Sequence, residues 1–187
     1  MAISNQNKVY FLLLSASLLL SCRPSERFLL PSSDLTAITH TLDEWHAAAS
    51  LGDSSGFFSR MTPDAVYIGT DATERWTRTS MGKDLGKHFD GKKAWHFIAS
   101  NRHYAATGNQ NVIHIDENLQ TWMGPCRGSG LVRKINGKWY ISLYNLANTV
   151  PNAHIKEYVS LLPPTEVLKD WLGKKNTSIV QMDLRIK

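Results

Sequence analysis

The order of local signals along the chain predicts an α+β fold: helical patterns come first, a short strand and hairpin follow, and the second half reads as strand after strand. Two observations carry this. Leu35, Ile38, Leu42, Trp45 and Ala49 recur at steps of three and four, the spacing of one apolar helix stripe. Residues 94–107, 112–122, 126–135 and 138–146 read as strands, divided by turn signals at Gly108-Asn109, Gly124-Pro125 and Asn136-Gly137, the last a strong two-residue hairpin signal.

The front of the chain is an address and not part of that fold. Residues 1–8 are polar with one cation, Lys8, and residues 9–20 (VYFLLLSASLLL) form an apolar run too short to span a bilayer comfortably, so residues 1–21 are expected to be a signal peptide. Leu19-Leu20-Ser21-Cys22 resembles the bacterial lipobox, which implies that Cys22 is the lipidation site and that the protein is anchored to a membrane of the cell envelope. Arg23, in place of the aspartate associated with inner-membrane retention, implies the outer membrane facing the periplasm in a Gram-negative host. Residues 22–32 then form a short tether. Cys126 is the one remaining thiol, so no internal disulfide is available and stability must come from a core.

The remainder, roughly 150 residues, suffices for one domain with a sizeable core and not for two. That domain is placed at residues 33–162. Ser33 or Asp34 is positioned to cap the first helix, which Gly52-Asp53 ends. Residues 54–61 (SSGFFSRM) predict a second helix stopping before Thr62-Pro63. A strand over residues 65–68 leads into GTDATERWT, whose residues 74–77 read as its hairpin partner, and residues 80–89 predict a third helix weakened by two glycines. Residues 163–187 form a separate extension: Thr165 caps a helical pattern with Val167, Leu168, Trp171 and Leu172, and Val180, Met182, Leu184 and Ile186 then alternate as in a strand.

Several pieces together resemble a known family. TLDEWHAAASLGD, TPDAVYIGTDATERW, CRGSG and NGKWYISLYNL ending at VPN occur in order between about Ile38 and Pro151, and this run resembles the SnoaL-like branch of the nuclear transport factor 2 (NTF2-like) superfamily. The resemblance implies a cone: a strongly bent antiparallel sheet around a long N-terminal helix, with an internal pocket at its mouth and often a homodimer through the sheet's outer face. The superfamily hosts isomerases, cyclases, dehydratases, noncatalytic binding domains and assembly modules, so the fold does not decide the function. The expectation is a lipid-anchored domain that binds a small apolar molecule without catalysis. The alternatives are an enzyme of the isomerase, cyclase or hydrolase type using a pocket carboxylate or histidine as general base, and a dimerisation or assembly module.

Strand alternation limits which polar groups can enter such a pocket. Glu74 and Trp76 share one face and Arg75 takes the other, so either the pair or the arginine faces the cavity. Asp71 sits where its carboxylate caps backbone amides of the turn. In CRGSG, Cys126, Gly128 and Gly130 share a face against Arg127, Ser129 and Leu131; the small residues either admit a ligand or another backbone, or mark a bend. Cys126 has no visible base to activate it and reads as a small buried thiol. His46 lies beside the helix stripe, as an acid/base group, a hydrogen-bond donor or a satisfied core-edge histidine. His103 and Asp116 are partners if register brings them opposite. With Glu74 they are the candidate catalytic bases. The expected ligand contacts are His46, Tyr67, Glu74, Arg75, Trp76, His103, Arg127 and Tyr144, within a chain rich in aromatics. No HExxH, CxxC or helical histidine pair appears, so neither a metal nor another cofactor is expected. The net charge of +5 is dispersed in pairs such as Lys92-Lys93 and Arg133-Lys134, without the basic stripe that nucleic acid requires.

Overall fold

A computed structural model describes residues 30–89 and 91–163. The expected signal peptide, the Cys22 anchor and the helix and strand expected after Pro164 lie outside the described residues.

Helix α1 (Ser32–Leu51) buries Ile38, Leu42, Trp45, His46, Ala48 and Ala49. Leu35, expected in the same stripe, is 38% exposed at the helix's outer end. No side chain caps the N-terminus, which follows Pro31. Asp34 instead accepts hydrogen bonds from Lys134 Nζ at 2.6 Å and Trp139 Nε1 at 3.0 Å, tying the first turn to the sheet. The helix ends at Gly52, whose φ of 66° suits glycine. A Cβ there would also lie 1.7 Å from the Lys92 carbonyl oxygen, so the stop is enforced by space as well as by conformation.

Asp53 caps α2 (Ser54–Ser59) by accepting from the Gly56 amide at 2.8 Å. Strand β1 (Met61–Ile68) starts earlier than residue 65 and passes through Pro63. The ladder tolerates the missing amide because the register with its neighbour is irregular between Met61 and Val66. The short β2 (Arg75–Thr77) forms the hairpin partner, and Thr77 caps α3 (Arg78–Leu85) in a reciprocal box with Ser80, which starts that helix at Arg78. A 3₁₀ turn (Gly86–His88) follows.

The meander is β3 (Ile98–Ala106), β4 (Val112–Thr121), β5 (Gly124–Ile135) and β6 (Lys138–Asn148). β3 begins later than residue 94 because the Ala94 and Trp95 amides donate to the Ala49 carbonyl at the end of α1 and do not enter the sheet. Asn136 and Gly137 take φ of 50° and 79°, the left-handed pair that a tight hairpin requires. A 3₁₀ turn (Asn152–His154) and α4 (Ile155–Ser160) close the described chain, a helical ending that the sequence pattern did not signal.

The six strands run in the order β2-β1-β6-β5-β4-β3. All neighbours are antiparallel except β1 and β6, which are parallel. The bent, unclosed sheet wraps α1, so the fold is the expected α+β cone. Its inner face presents Ile113, Ile115, Glu117 and Leu119 from β4, Cys126, Gly128, Gly130 and Val132 from β5, and Trp139, Ile141, Tyr144 and Leu146 from β6. Trp45 is the hub of the core, with its ring 4.7 Å from both Phe57 and Tyr144.

Candidate functional site

The mouth of the cone holds a cavity of about 380 Å³. Aromatic rings dominate its wall: Tyr67 from β1, Trp76 from β2, Trp95 and Phe97 from the segment before β3, and Trp122 from the β4–β5 turn. Met81, Leu85, Met123 and Leu146 fill the rest, and the ionisable groups among the lining residues are Glu74, His88 and Tyr67. A wall of this kind suits a small organic molecule, for which polar groups set orientation and apolar groups give affinity.

The GTDATERWT stretch supplies one side of it. Asp71 Oδ1 accepts from the Thr73 amide at 2.7 Å, and the Glu74 amide donates to the Asp71 carbonyl at 2.9 Å, so Asp71 shapes the turn. Beyond it Glu74 and Trp76 are half-buried and line the cavity while Arg75 is exposed, as alternation along a strand requires. Gly69 makes room for the acid: a Cβ there would lie 2.2 Å from Glu74 Oε2. The Trp76 indole N–H donates to Asp84 Oδ2 of α3 at 3.0 Å, fixing the ring as a wall.

Behind that wall lies a polar cluster that sequence reasoning did not find. Glu117, fully buried, accepts from His46 Nε2 at 2.8 Å and Tyr144 Oη at 2.8 Å on Oε1. On Oε2 it accepts from Arg102 Nε at 2.7 Å, with Arg102 Nη2 in ion-pair contact at 2.7 Å. The guanidinium reaches on to Asp43 Oδ1 at 2.9 Å. Both oxygens of the carboxylate are engaged, and because a carboxylate only accepts, His46 must carry its proton on Nε2. Burial alone would raise the Glu117 carboxyl, but the His46 hydrogen bond and charge, the Arg102 guanidinium and the Tyr144 hydroxyl outweigh it and hold it at about 2. Burial first, and then the Glu117 charge, push the Tyr144 hydroxyl upward. Such a carboxylate is ionised and held on both oxygens, and it acts as a strut between helix and sheet, not as a proton acceptor.

Gly128 is what lets the strut form. A Cβ at that position would lie 1.9 Å from Tyr144 Oη and 3.3 Å from Glu117 Cγ, so the small residue in CRGSG admits a phenol and not a ligand. Gly130 admits the Leu143 backbone in the same way, its notional Cβ lying 2.0 Å from the Leu143 oxygen. Cys126 is a buried thiol donating to Asn148 Oδ1 at 3.1 Å.

The expected site residues therefore separate into three places. Tyr67, Glu74 and Trp76 line the cavity. His46 and Tyr144 belong to the buried cluster, with the Tyr144 ring stacked 5.9 Å from Tyr67. Arg75, His103, Asp116 and Arg127 lie elsewhere: register does bring His103 opposite Asp116, 3.4 Å apart, but on the outer face of the sheet, and Arg127 points outward toward Asn118. Of the three candidate bases only Glu74 reaches the cavity. Among the described residues no group of three or more His, Cys, Asp or Glu side chains is placed to hold a metal.

Residues 38–151 match the SnoaL-like domain family. No curated protein matches the sequence. Among solved structures, an NTF2-like protein of unknown function from Pseudomonas putida KT2440 superposes with a TM-score of 0.53 at 10% identity, over 66% of this chain and 92% of its own. A Novosphingobium aromaticivorans structure provisionally assigned as an aromatic ring hydroxylase gives 0.52 at 16% identity, over 66% and 94% of the two chains. Another from that organism, provisionally assigned as a scytalone dehydratase, gives 0.51 at 11% identity, over 63% and 85%. At these identities the likeness is one of fold.

Proposed function

The chain belongs to the SnoaL-like domain family with the NTF2-like cone fold, and from that premise we propose that it binds a small, largely apolar organic molecule in the cavity at the cone's mouth without transforming it. The carrying observation is the division of labour inside the cone. The open cavity is aromatic, while the buried carboxylate that a proton-transfer enzyme would use is locked by three hydrogen bonds and an ion pair behind the wall.

The neutral fluorophore N-phenyl-1-naphthylamine tests this reading. It is expected to brighten on adding the protein, and Trp76→Ala is expected to weaken its binding about tenfold, the equivalent of about 1.4 kcal/mol. Because Trp76 is half-buried, the same change should cost stability by only about 1–2 kcal/mol, less than truncation of a core tryptophan. No brightening with a folded protein would overturn the reading. The catalytic alternative rests on Glu74, the one candidate base in the cavity. Glu74→Gln keeps the shape and removes the charge, so retained probe binding with lost turnover of any substrate found would favour catalysis.

Anchoring through Cys22 belongs to the same proposal, since an envelope-bound receptor would present its cavity at a membrane. Cys22→Ser is expected to move the protein from the membrane fraction to the soluble fraction, as read by fractionation and immunoblotting. Unchanged partitioning would remove the anchor from the proposal. The assembly alternative draws less support: the outer face of the sheet carries His103, His114, Asp116, Asn118, Arg127 and Ser129, a largely polar surface broken by Leu131 and Leu143.

A further inference from the structure

We propose that the cavity selects a small organic cation, an apolar or aromatic body carrying an ammonium group, over neutral and anionic molecules of the same shape. This deepens the proposed function and rests on the cavity being the ligand site. Trp76 and Trp95, with Tyr67, bring aromatic rings to one hollow, and Trp122, 82% exposed, stands at its open rim. The faces of such rings carry the negative end of their quadrupole, so an ammonium among them is attracted without a salt bridge to each wall. Glu74 is the one carboxylate in the lining. Its Oε2 accepts from the Asp71 amide at 3.2 Å, and its Oε1 takes no hydrogen bond from the described residues.

Two further features point the same way. The Trp76 indole N–H donates to the Asp84 carboxylate at 3.0 Å, which places a second negative charge at the edge of the ring and enriches its face in electron density. Burial first, and the Glu74 charge next, push the Tyr67 hydroxyl upward, so Tyr67 stays a neutral donor and contributes no anion of its own. Each competing ligand class meets an objection. An anion would face Glu74 across a hollow of low polarity. A neutral molecule would strip water from the Glu74 carboxylate and give it no partner, a desolvation cost that an ammonium offsets. His88 is the one basic side chain in the wall, and its protonation would oppose a cation.

The test compares two molecules of nearly identical shape, phenyltrimethylammonium and tert-butylbenzene, titrated against the tryptophan fluorescence of the full chain at about pH 8, where an imidazole is ordinarily neutral. The cation is expected to bind at least about tenfold more tightly. Glu74→Gln is expected to reduce that preference to about twofold or less, because the cation loses its countercharge and tert-butylbenzene no longer desolvates a carboxylate, while a circular dichroism spectrum matching the wild type reports that the variant is folded. A preference that survives Glu74→Gln would overturn the assignment of the selectivity to the carboxylate, and equal binding of the pair or tighter binding of tert-butylbenzene would overturn the inference. If N-phenyl-1-naphthylamine still binds in those cases, the apolar cavity stands and only its charge selectivity falls. If none of the three molecules binds, both readings fall.

Discussion

Arg102→Ala is expected to destabilise the domain by about 3–5 kcal/mol, because it takes the guanidinium from a fully buried Glu117 and leaves the carboxylate with only His46 and Tyr144 as partners. Arg102 is itself only 10% exposed and supplies a hydrogen bond and the ion pair to the carboxylate, so no solvent is at hand to replace it. Urea denaturation followed by circular dichroism measures the loss as a lower midpoint with little change in slope. Adding Glu117→Leu to Arg102→Ala should recover part of the loss by removing the stranded charge. Full recovery is not expected, since His46 Nε2 and Tyr144 Oη then lose their acceptor. A stability loss below about 1 kcal/mol in Arg102→Ala, the range of exposed ion pairs, would mean that the cluster is wetter than its geometry shows.

The same carboxylate gives the pH dependence a sign. Its folded-state value of about 2 lies below the ordinary 4.5, so its stabilising contribution is fully present above about pH 4.5 and is lost as the pH falls toward 2. By linkage that contribution is on the order of 3 kcal/mol. Asp34, lowered by its hydrogen bond from Lys134, and Glu44, lowered by its hydrogen bond from Arg60, add acid sensitivity of the same sign. The diagnostic quantity is therefore the difference between the wild-type and Arg102→Ala curves, with the variant losing less stability between about pH 5 and pH 2.

Gly128→Ala is the second change with a large expected effect. The new methyl would sit 1.9 Å from Tyr144 Oη and 2.5 Å from Cζ, so the phenol must leave Glu117. Overpacking costs about 1–3 kcal/mol and the lost hydrogen bond to a charged acceptor about 1.5–3 kcal/mol. Tyr144→Phe alone forfeits only the hydrogen bond. In the double variant the oxygen is absent and the bond is already lost, so the combined cost should fall well short of the sum of the singles, a coupling that a double-mutant cycle measures. Additive costs would show that the methyl is accommodated by the backbone and not by moving Tyr144.

The cone was legible in the sequence because its signals are local: the α1 stripe, the Asn136-Gly137 turn and the alternation of Glu74, Arg75 and Trp76 each need only a few residues of context. The buried cluster was not, for two different reasons. Glu117 stands in the inward series Ile113, Ile115, Glu117, Leu119, and an acid in an apolar alternation is a signal that could have been read. Arg102 gave none. Its inward direction depends on an irregularity between Ser100 and His103, where Asn101 takes a φ of 52° and reverses the parity of the strand. That same irregularity sends His103 outward to Asp116, which is why the pair expected inside the pocket meets on its outside.

The placement of β1 has a consequence for how the chain acquires its fold. Its parallel neighbour is β6, the last strand, with Met61 beside Ile141 and Tyr67 beside Tyr144. Strands β3 to β6 can zip together by successive hairpins, but β1 must wait for a partner most of the domain's length away, and such distant pairings slow the search. A nascent chain that ends before Lys138 holds α1 with Ile38, Leu42 and Trp45 uncovered and β1 without its main ladder. Its truncation products should accordingly be sticky substrates for chaperones and proteases, not smaller working domains.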